Sequence, residues 1–168
     1  MLVRARRAFE RGLRLVQLRE KTWDVAQRAA LARELVPLAH RHGARVLLNG
    51  AEDEARAVGA DGVHWTSAVL MRAERRPPDL VVAASCHTRA ELDRAAALEA
   101  DFAVLGPVLP TPSHPDATPL GWDAFARIVA GTRIPVYALG GLTAGDLDTA
   151  IAHGAHGVAL RSAAWPAV

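Results

Sequence analysis

Short apolar runs alternate along the chain with longer stretches of helical periodicity. Seven runs rich in Val, Leu and Ala predict strands, at Leu13–Leu18, Arg45–Leu48, Gly62–Trp65, Leu80–Ala84, Phe102–Leu105, Pro135–Leu139 and Gly157–Leu160. Each run is nearly continuous in apolar residues, which is typical of parallel strands buried on both faces. The connecting stretches predict helices at Thr22–His42, Glu52–Val58, Ala68–Glu74, Arg89–Glu99, Trp122–Ala130 and Ala144–His153. This alternation predicts an α/β protein.

The spacing of the strands favours a (β/α)8 TIM-type barrel, in which one helix returns each strand to the next. A weak internal repeat, Gly59–His64 against Gly154–Ala159, supports equivalent strand-helix units. A doubly wound open sheet is the alternative. Against it, no Gly-x-Gly-x-x-Gly follows the first strand, and polar or glycine residues follow nearly every strand.

A full barrel has eight strands and typically about 250 residues, whereas this chain has 168. It opens with a helix-like segment, Val3–Arg11, and seven strands follow. We therefore expect one barrel domain over residues 1–168 that lacks its first strand and is a fragment of a longer chain. The other possibility is that another segment or subunit covers the open edge.

The composition, 51% hydrophobic and 23% charged, excludes a disordered chain. No apolar stretch approaches the roughly 20 residues of a membrane span, and no signal-peptide core is present, so we expect a cytoplasmic protein without a membrane partner. The net charge is only +2, with basic residues spread among acidic ones, so nucleic-acid binding is not expected. A single cysteine, Cys86, excludes an internal disulfide and a Cys-rich zinc site.

Barrel active sites form at the carboxyl ends of the strands, and the first strand ends in Gln17, Arg19 and Lys21. Strand alternation points these three side chains to one side, where they predict a phosphate or pyrophosphate cradle. The alternative is a solvated, charged strand end. After the second strand, Asn49 offers an amide to a ligand, although Asn-Gly is also ordinary turn chemistry.

The third and fourth strands end near histidines. His87, with Ser85 on the same side of its strand, predicts a general acid or base. Cys86 points to the opposite face and is expected to be a small packed residue rather than a nucleophile. His64, in the third strand, is interpreted first as a hydrogen-bonded core histidine.

The remaining strand ends predict a second phosphate site. Residues 106–115 contain four prolines with Thr111, Ser113 and His114, which indicates a stiff binding loop or, alternatively, a rigid connector. Two further segments, Gly140-Gly141 and Arg161-Ser162, follow the last two strands, where barrels commonly bind phosphate through backbone N–H groups.

Six motifs occur in one order along nearly the whole chain: Gln17-x-Arg19-x-Lys21, Asn49, Gly59–His64, Ser85-x-His87-Thr88, Gly106-Pro107-Val108-x-Pro110-Thr111 and Gly140-Gly141. This pattern resembles the thiamine phosphate synthase and TenI superfamily. The resemblance implies a (β/α)8 barrel that binds thiazole phosphate. In the synthases, a pyrimidine pyrophosphate with magnesium binds at the Gln-x-Arg-x-Lys end.

The resemblance also implies roles for individual residues. Pyrophosphate would meet Gln17, Arg19 and Lys21; the loop phosphate contacts would be Thr111 and Ser113; thiazole phosphate would meet Gly140, Gly141 and Ser162; and Ser85 would lie near the substrates.

The chain departs from the synthases where they hold magnesium. Gly50, rather than an aspartate, follows Asn49, no aspartate occurs in Trp65–Leu70, and His114 replaces the lysine of the loop. We therefore expect no metal site and no cofactor, with Mg²⁺ required only if the protein is a synthase. TenI-like relatives tautomerise a thiazole carboxylate phosphate without metal, and His87 matches their acid or base, with His114 as a further candidate.

The expected function is thus a thiamine-biosynthesis protein that binds a small phosphorylated substrate, with TenI-like proton transfer favoured. One alternative is an active thiamine phosphate synthase that uses magnesium. Another is a non-catalytic sensing domain, because Ala84–His87, Leu109–Pro115 and Leu120–Trp122 also resemble the barrel fused behind MutT-type Nudix hydrolases. The expected partners accordingly include a covalent N-terminal Nudix domain or a second copy in a homo-oligomer.

Overall fold

The structure, a computed structural model, describes residues 1–20, 22–112 and 117–165, with the side chain of residue 162 excluded. Within these ranges seven helices are present: α1 Leu2–Glu10, α2 Val25–Arg41, α3 Glu52–Ala57, α4 Ser67–Arg72, α5 Arg89–Ala97, α6 Gly121–Val129 and α7 Leu147–Ala152. Seven strands alternate with them: β1 Leu15–Leu18, β2 Arg45–Leu48, β3 Gly62–Trp65, β4 Val81–Cys86, β5 Phe102–Leu105, β6 Val136–Leu139 and β7 Gly157–Ala159. Short 3-10 segments occupy Ala144–Asp146 and Ser162–Ala164.

The strands form one sheet in the order β1-β2-β3-β4-β5-β6-β7. The recorded registers are parallel, with Leu18 opposite Leu48 and Ser85 opposite Val104. Sequential parallel neighbours joined by helices are the arrangement of TIM-type folds. The predicted fold class is therefore confirmed, with seven strands among the described residues where a full barrel has eight.

The chain divides into two compact units. The first unit is built on Met1–His64 and Pro77–Val82, and the second on Trp65–Arg76 and Ala83–Ala164. The single domain over residues 1–168 and the additional strand before it stay predictions.

In the first unit, α1 packs against α2 through a buried apolar face. Phe9 is fully buried and its ring lies 6.0 Å from that of His42. Helix α2 begins at a capping box: the Asp24 carboxylate accepts from Gln27 N–H at 2.8 Å, and the Gln27 amide oxygen accepts from Asp24 N–H. These bonds satisfy two of the otherwise unpaired N–H groups of the first turn and set where α2 starts.

In the second unit, β5, β6 and β7 are paired parallel strands, and α5 packs on both α4 and α6. Phe125 of α6 is fully buried, and the Trp122 ring meets it edge to face at 5.9 Å. On its other side Trp122 stacks on His153, at the end of α7. The ring contacts therefore fix the two helices that precede β6 and β7.

Helix α2 begins at Val25 rather than at Thr22, and β4 runs to Cys86 rather than ending at Ala84. Strand β4 is longer because Ser85 and Cys86 pair in register with Val104 and Leu105 of β5. Within the described ranges, no helix is long and apolar enough to cross a membrane.

Candidate functional site

The described candidate residues fall into two groups, one in each compact unit. Gln17, Arg19 and Asn49 belong to the first unit, and Ser85, His87, Thr111, Gly140, Gly141 and Arg161 to the second. Lys21, Ser113, His114 and the Ser162 side chain lie outside the described residues, so their predicted roles stay predictions.

In the first unit, Asn49 ties together the carboxyl ends of three strands. Its backbone N–H donates to Leu18 O of β1 at 3.0 Å, and its side-chain Nδ2 donates to His64 O of β3 at 2.9 Å. One hydrogen of the amide is thus committed to the protein. The structure gives Asn49 a role in joining strands, and a contact between Asn49 and substrate stays a prediction.

His64 is a buried, neutral histidine, as its interpretation as a core residue requires. It is 6% exposed. Burial, and secondarily the positive charge of Arg19, lower the pKa of His64 from 6.5 to about 4. At neutral pH the imidazole of His64 therefore carries no charge. Among the described candidate residues of the first unit, the positive charge is that of the Arg19 guanidinium.

Gln17 and Arg19 are half-buried at the end of β1, on alternate positions. A half-buried guanidinium in a partly dehydrated setting attracts anions more strongly than one fully in water, and its planar fork matches phosphate or carboxylate geometry. Anion binding by Gln17 and Arg19 stays a prediction.

The expectation that the chain holds no magnesium site stays a prediction, and the described carboxylates near Asn49 are the groups that bear on it. The carboxylate next to Gly50 is that of Glu54, whose Oε2 lies 2.8 Å from where a Cβ on Gly50 would be. That carboxylate is already paired with Arg28 at 3.3 Å. In the described part of the chain, no cluster of three or more His, Cys, Asp or Glu side chains could hold a metal ion.

In the second unit, Cys86 is the packed thiol that was expected. It is 1% exposed, and burial together with the charge of Glu91 raises its pKa to about 12. A thiol with such a pKa is not a thiolate at neutral pH and is a poor nucleophile. Its neighbour Ser85 is half-buried.

His87 follows β4 directly and lies beside a carboxylate. Its Nδ1 is 3.4 Å from Glu91 Oε2, and the same oxygen accepts from the His87 backbone N–H at 2.5 Å. The imidazole is 51% exposed, whereas the Glu91 side chain is only 18% exposed. A carboxylate this close to one ring nitrogen can orient the imidazole, as positioned general acid–base catalysis requires.

Glu91 was not among the residues predicted from the sequence. It is held in place because it completes a capping box with Thr88 at the start of α5. The signal was present in the sequence as Thr88-x-x-Glu91 before an amphipathic stretch. The capping carboxylate therefore also contacts the histidine.

The segment after β5 is bound to the strands on both sides of it. Gly106 N–H donates to Cys86 O of β4 at 3.2 Å, Val108 N–H donates to Leu139 O of β6 at 2.8 Å, and Leu109 N–H donates to Gly140 O at 3.0 Å. These bonds fix the start of the predicted binding loop against the carboxyl ends of its neighbours. These hydrogen bonds agree with the interpretation of residues 106–109 as the start of a stiff loop.

The glycine pair is required by this close packing. Gly140 has φ +103° and Gly141 has φ +70°. A Cβ on Gly140 would lie 2.6 Å from Pro107 Cα, and one on Gly141 would lie 2.5 Å from Pro110 O. Steric crowding therefore explains why glycine occupies both positions. Contact of either glycine with phosphate stays a prediction.

Thr111 and Arg161 follow β5 and β7, on either side of the glycine pair in sheet order. Thr111 is half-buried and Arg161 is exposed. Since the carboxyl ends of parallel neighbours lie on one edge of a sheet, both residues lie on the same edge as the glycines. This edge combines an exposed guanidinium with tightly packed loop backbone.

Comparison with known proteins agrees with this arrangement. A protein of Geobacter sulfurreducens, provisionally named thiamine-phosphate synthase, is 42% identical over 160 residues, which are 93% of this chain and 75% of that protein. The thiamine-phosphate synthase of Methanoculleus marisnigri is 39% identical over 166 residues, covering 95% and 77%. The structure of thiamine phosphate pyrophosphorylase from Pyrococcus furiosus matches with a TM-score of 0.79 at 27% identity, covering 95% and 78%. The family model described as thiamine monophosphate synthase (TMP-TENI) matches residues 1–164, so the chain belongs to the thiamine monophosphate synthase and TenI family.

Proposed function

We propose that the protein is a TenI-like tautomerase of thiamine biosynthesis, which moves a proton on a phosphorylated thiazole carboxylate without a metal ion. The observation that carries the proposal is the pair formed by His87 and Glu91 at the carboxyl end of β4, with Nδ1 and Oε2 3.4 Å apart. The proposal is also supported by the sequence, in which Gly50 rather than an aspartate directly follows Asn49 and no aspartate occurs in Trp65–Leu70.

The reaction needs one base that can also act as an acid. His87 removes a proton from one ring position of the thiazole, and its imidazolium delivers a proton at another. Substrate and product are isomers, so no atoms or electrons are exchanged with a co-substrate. Glu91 positions the imidazole and stabilises its charge while the proton is held.

The phosphate of the substrate is proposed to bind at the edge that carries the glycine pair. Arg161 supplies a positive charge after β7, and the backbone around Gly140 and Gly141 supplies N–H donors. Thr111, Ser113 and Ser162 are further proposed phosphate contacts. In the first unit, Gln17, Arg19 and Lys21 are proposed as a separate anion-binding group.

The test compares His87→Gln and Glu91→Gln with a matched control, Asp93→Asn. Asp93 is another acidic residue of α5 and is paired with Arg89 rather than with a histidine. Isomer conversion is followed by NMR across pH. His87→Gln should lower kcat by about 10² to 10⁴-fold, the usual contribution of positioned acid–base catalysis. Glu91→Gln, which can still cap α5, should lower kcat less and move the pH profile.

Asp93→Asn should behave as wild type, and the Kd of the phosphorylated substrate should stay unchanged in all three variants. Normal turnover by His87→Gln would contradict the proposal. An identical pH profile in wild type and Glu91→Gln would remove the positioning role of Glu91.

A second candidate function is supported by the names of the relatives, several of which are thiamine-phosphate synthases. In that case the protein would join a pyrimidine pyrophosphate to thiazole phosphate, and magnesium would have to be recruited largely by the substrates. Formation of thiamine phosphate only when Mg²⁺ and both substrates are supplied would establish this function. Tight substrate binding without either reaction would favour the sensing module. A fused Nudix domain, a homo-oligomer and a cytoplasmic location stay predictions.

A further inference from the structure

In the first unit, the Arg28 side chain bridges the segments that follow β1 and β2. Its Nη1 donates to Trp23 O at 2.7 Å, and its Nη2 donates to Glu54 Oε2 at 3.3 Å. Trp23 lies between β1 and α2, whereas Glu54 is in the first turn of α3, after β2. One guanidinium therefore connects the segments that follow two neighbouring parallel strands.

The ion pair of Arg28 and Glu54 is partly withdrawn from solvent. The two side chains are only 19% and 28% exposed. Charges in such a setting are screened less by water and salt than charges on an open surface. The planar guanidinium can also hold two acceptors in a fixed geometry, which the single ammonium of a lysine does less well. Arginine is therefore suited to join a carbonyl and a carboxylate.

The Glu54 carboxylate is placed over Gly50, which directly follows Asn49. A Cβ on Gly50 would lie 2.8 Å from Glu54 Oε2 and 3.3 Å from Leu48 Cδ2. A side chain at position 50 would therefore displace the carboxylate from its contact with Arg28. The glycine at this position leaves room for the bridge.

The bridge bears on Arg19 because Arg19 lies between two fixed points of the backbone. Before it, Leu18 O accepts from Asn49 N–H at 3.0 Å. After it, Trp23 O accepts from Arg28 Nη1. A segment held at both ends has less conformational freedom to lose when it binds a ligand, and this favours binding. Loss of the Arg28 contact would release one of these ends.

We propose that Arg28 and Glu54 are positioning residues for an anion site at the end of β1, which takes a pyrophosphate group. This inference rests on the proposed anion-binding role of Gln17, Arg19 and Lys21. Arg28 holds the segment after β1, and Glu54 holds Arg28. The anion itself is contacted by the residues at the end of β1.

The test measures binding of inorganic pyrophosphate to the full chain in ¹H–¹⁵N NMR spectra. The Kd is taken from the backbone amide signals of Gln17 and Leu18, so that binding elsewhere is not counted. Arg28→Gln should raise this Kd about tenfold. Arg28→Lys keeps the charge without the planar fork and should raise it about threefold or more. Arg41→Gln removes an exposed charge about 20 Å further along α2 and should leave the Kd within about twofold of wild type.

Two acidic residues in the first turn of α3 provide a matched pair with effects of opposite sign. Removing a negative charge near an anion site tightens anion binding if electrostatics alone acts. Asp53 is exposed and forms no ion pair among the described residues, so Asp53→Ala should leave the Kd equal or lower. Glu54→Ala should instead raise the Kd about fivefold, because Arg28 loses its anchor. The two changes Arg28→Gln and Glu54→Ala together should weaken binding no more than Arg28→Gln alone.

Each Kd is measured well below the thermal midpoint of the variant, so that loss of stability does not enter the comparison. A wild-type Kd in Arg28→Gln or Arg28→Lys would overturn the positioning role, as would tighter binding by Glu54→Ala. If the wild-type signals of Gln17 and Leu18 do not shift saturably at about 20 mM pyrophosphate, the proposed anion-binding group is wrong, and the positioning role falls with it.

Discussion

Because the imidazole of His64 is buried, the free energy of unfolding should fall as the pH is lowered through a defined range. Its pKa is about 4 in the folded chain against 6.5 in an unfolded chain. Between these values the unfolded state binds more protons, so the free energy of unfolding falls as the pH falls. The contribution of His64 is fully present above pH 6.5 and is lost as the pH approaches 4.

The magnitude follows from the size of the pKa difference. A shift of 2.5 units, from 6.5 to about 4, corresponds to about 3 kcal/mol once the pH is below both values. At pH 4.5, most of the unfolded chains and a minority of the folded ones are protonated at this residue. The expected loss at that pH, relative to pH 7.5, is about 2.5 kcal/mol from His64 alone.

The assay is urea denaturation of wild type and His64→Gln at pH 7.5 and pH 4.5. Other groups titrate in both proteins, so only the difference between their pH dependences reports on His64. Wild type should lose about 2.5 kcal/mol more than the variant between the two pH values. The buried glutamine destabilises the variant at both pH values, which leaves this difference intact.

An NMR titration of the His64 ring tests the contribution of Arg19 directly. Arg19→Gln should raise the pKa of His64 toward 6.5, because the charge of Arg19 is the secondary cause of its low value. Parallel losses of stability in wild type and His64→Gln, or titration of His64 at its ordinary value, would refute the reasoning.

Three further predictions concern the strand ends. Gly140→Ala should lower the free energy of unfolding by about 2 kcal/mol or more in urea denaturation, since φ is +103° and the new methyl would meet Pro107; a wild-type midpoint would show that the segment can move freely. Cys86 should react with a thiol reagent only as fast as the chain unfolds, because it is 1% exposed with a raised pKa; rapid labelling under native conditions would contradict this. Asn49→Asp should cost about 1–3 kcal/mol at pH 7, because a carboxylate cannot donate to His64 O, and Asn49→Ala should cost less.

The elements of this fold can be read from the sequence because its strands are short, nearly continuous apolar runs, and β2 to β5 are largely buried on both faces. Gly62–Trp65 is an unbroken buried run, and the structure has β3 between the same residues. The end of β4 could not be placed in this way, since Ser85 belongs to the strand only through its pairing with Val104 of β5. Pairing between distant segments leaves no local signal in composition or periodicity.

The same distinction between local signals and long-range contacts applies to the candidate site. The position of His87 after a strand follows from chain order, whereas its contact with Glu91 depends on how α5 is capped. The glycine pair could be found by its residue type, but the reason for it could not, since Pro107 and Pro110 approach it from another loop. Contacts that join separate loops require the folded backbone.

The most direct test of the account measures isomer conversion of the phosphorylated thiazole carboxylate in excess EDTA, for wild type and His87→Gln. Proton transfer by His87 needs no metal, so the wild-type rate should be the same with and without the chelator. The His87→Gln rate should be lower by about 10² to 10⁴-fold at an unchanged substrate Kd. Loss of wild-type activity in EDTA, or equal rates for the two proteins, would contradict metal-independent proton transfer at His87.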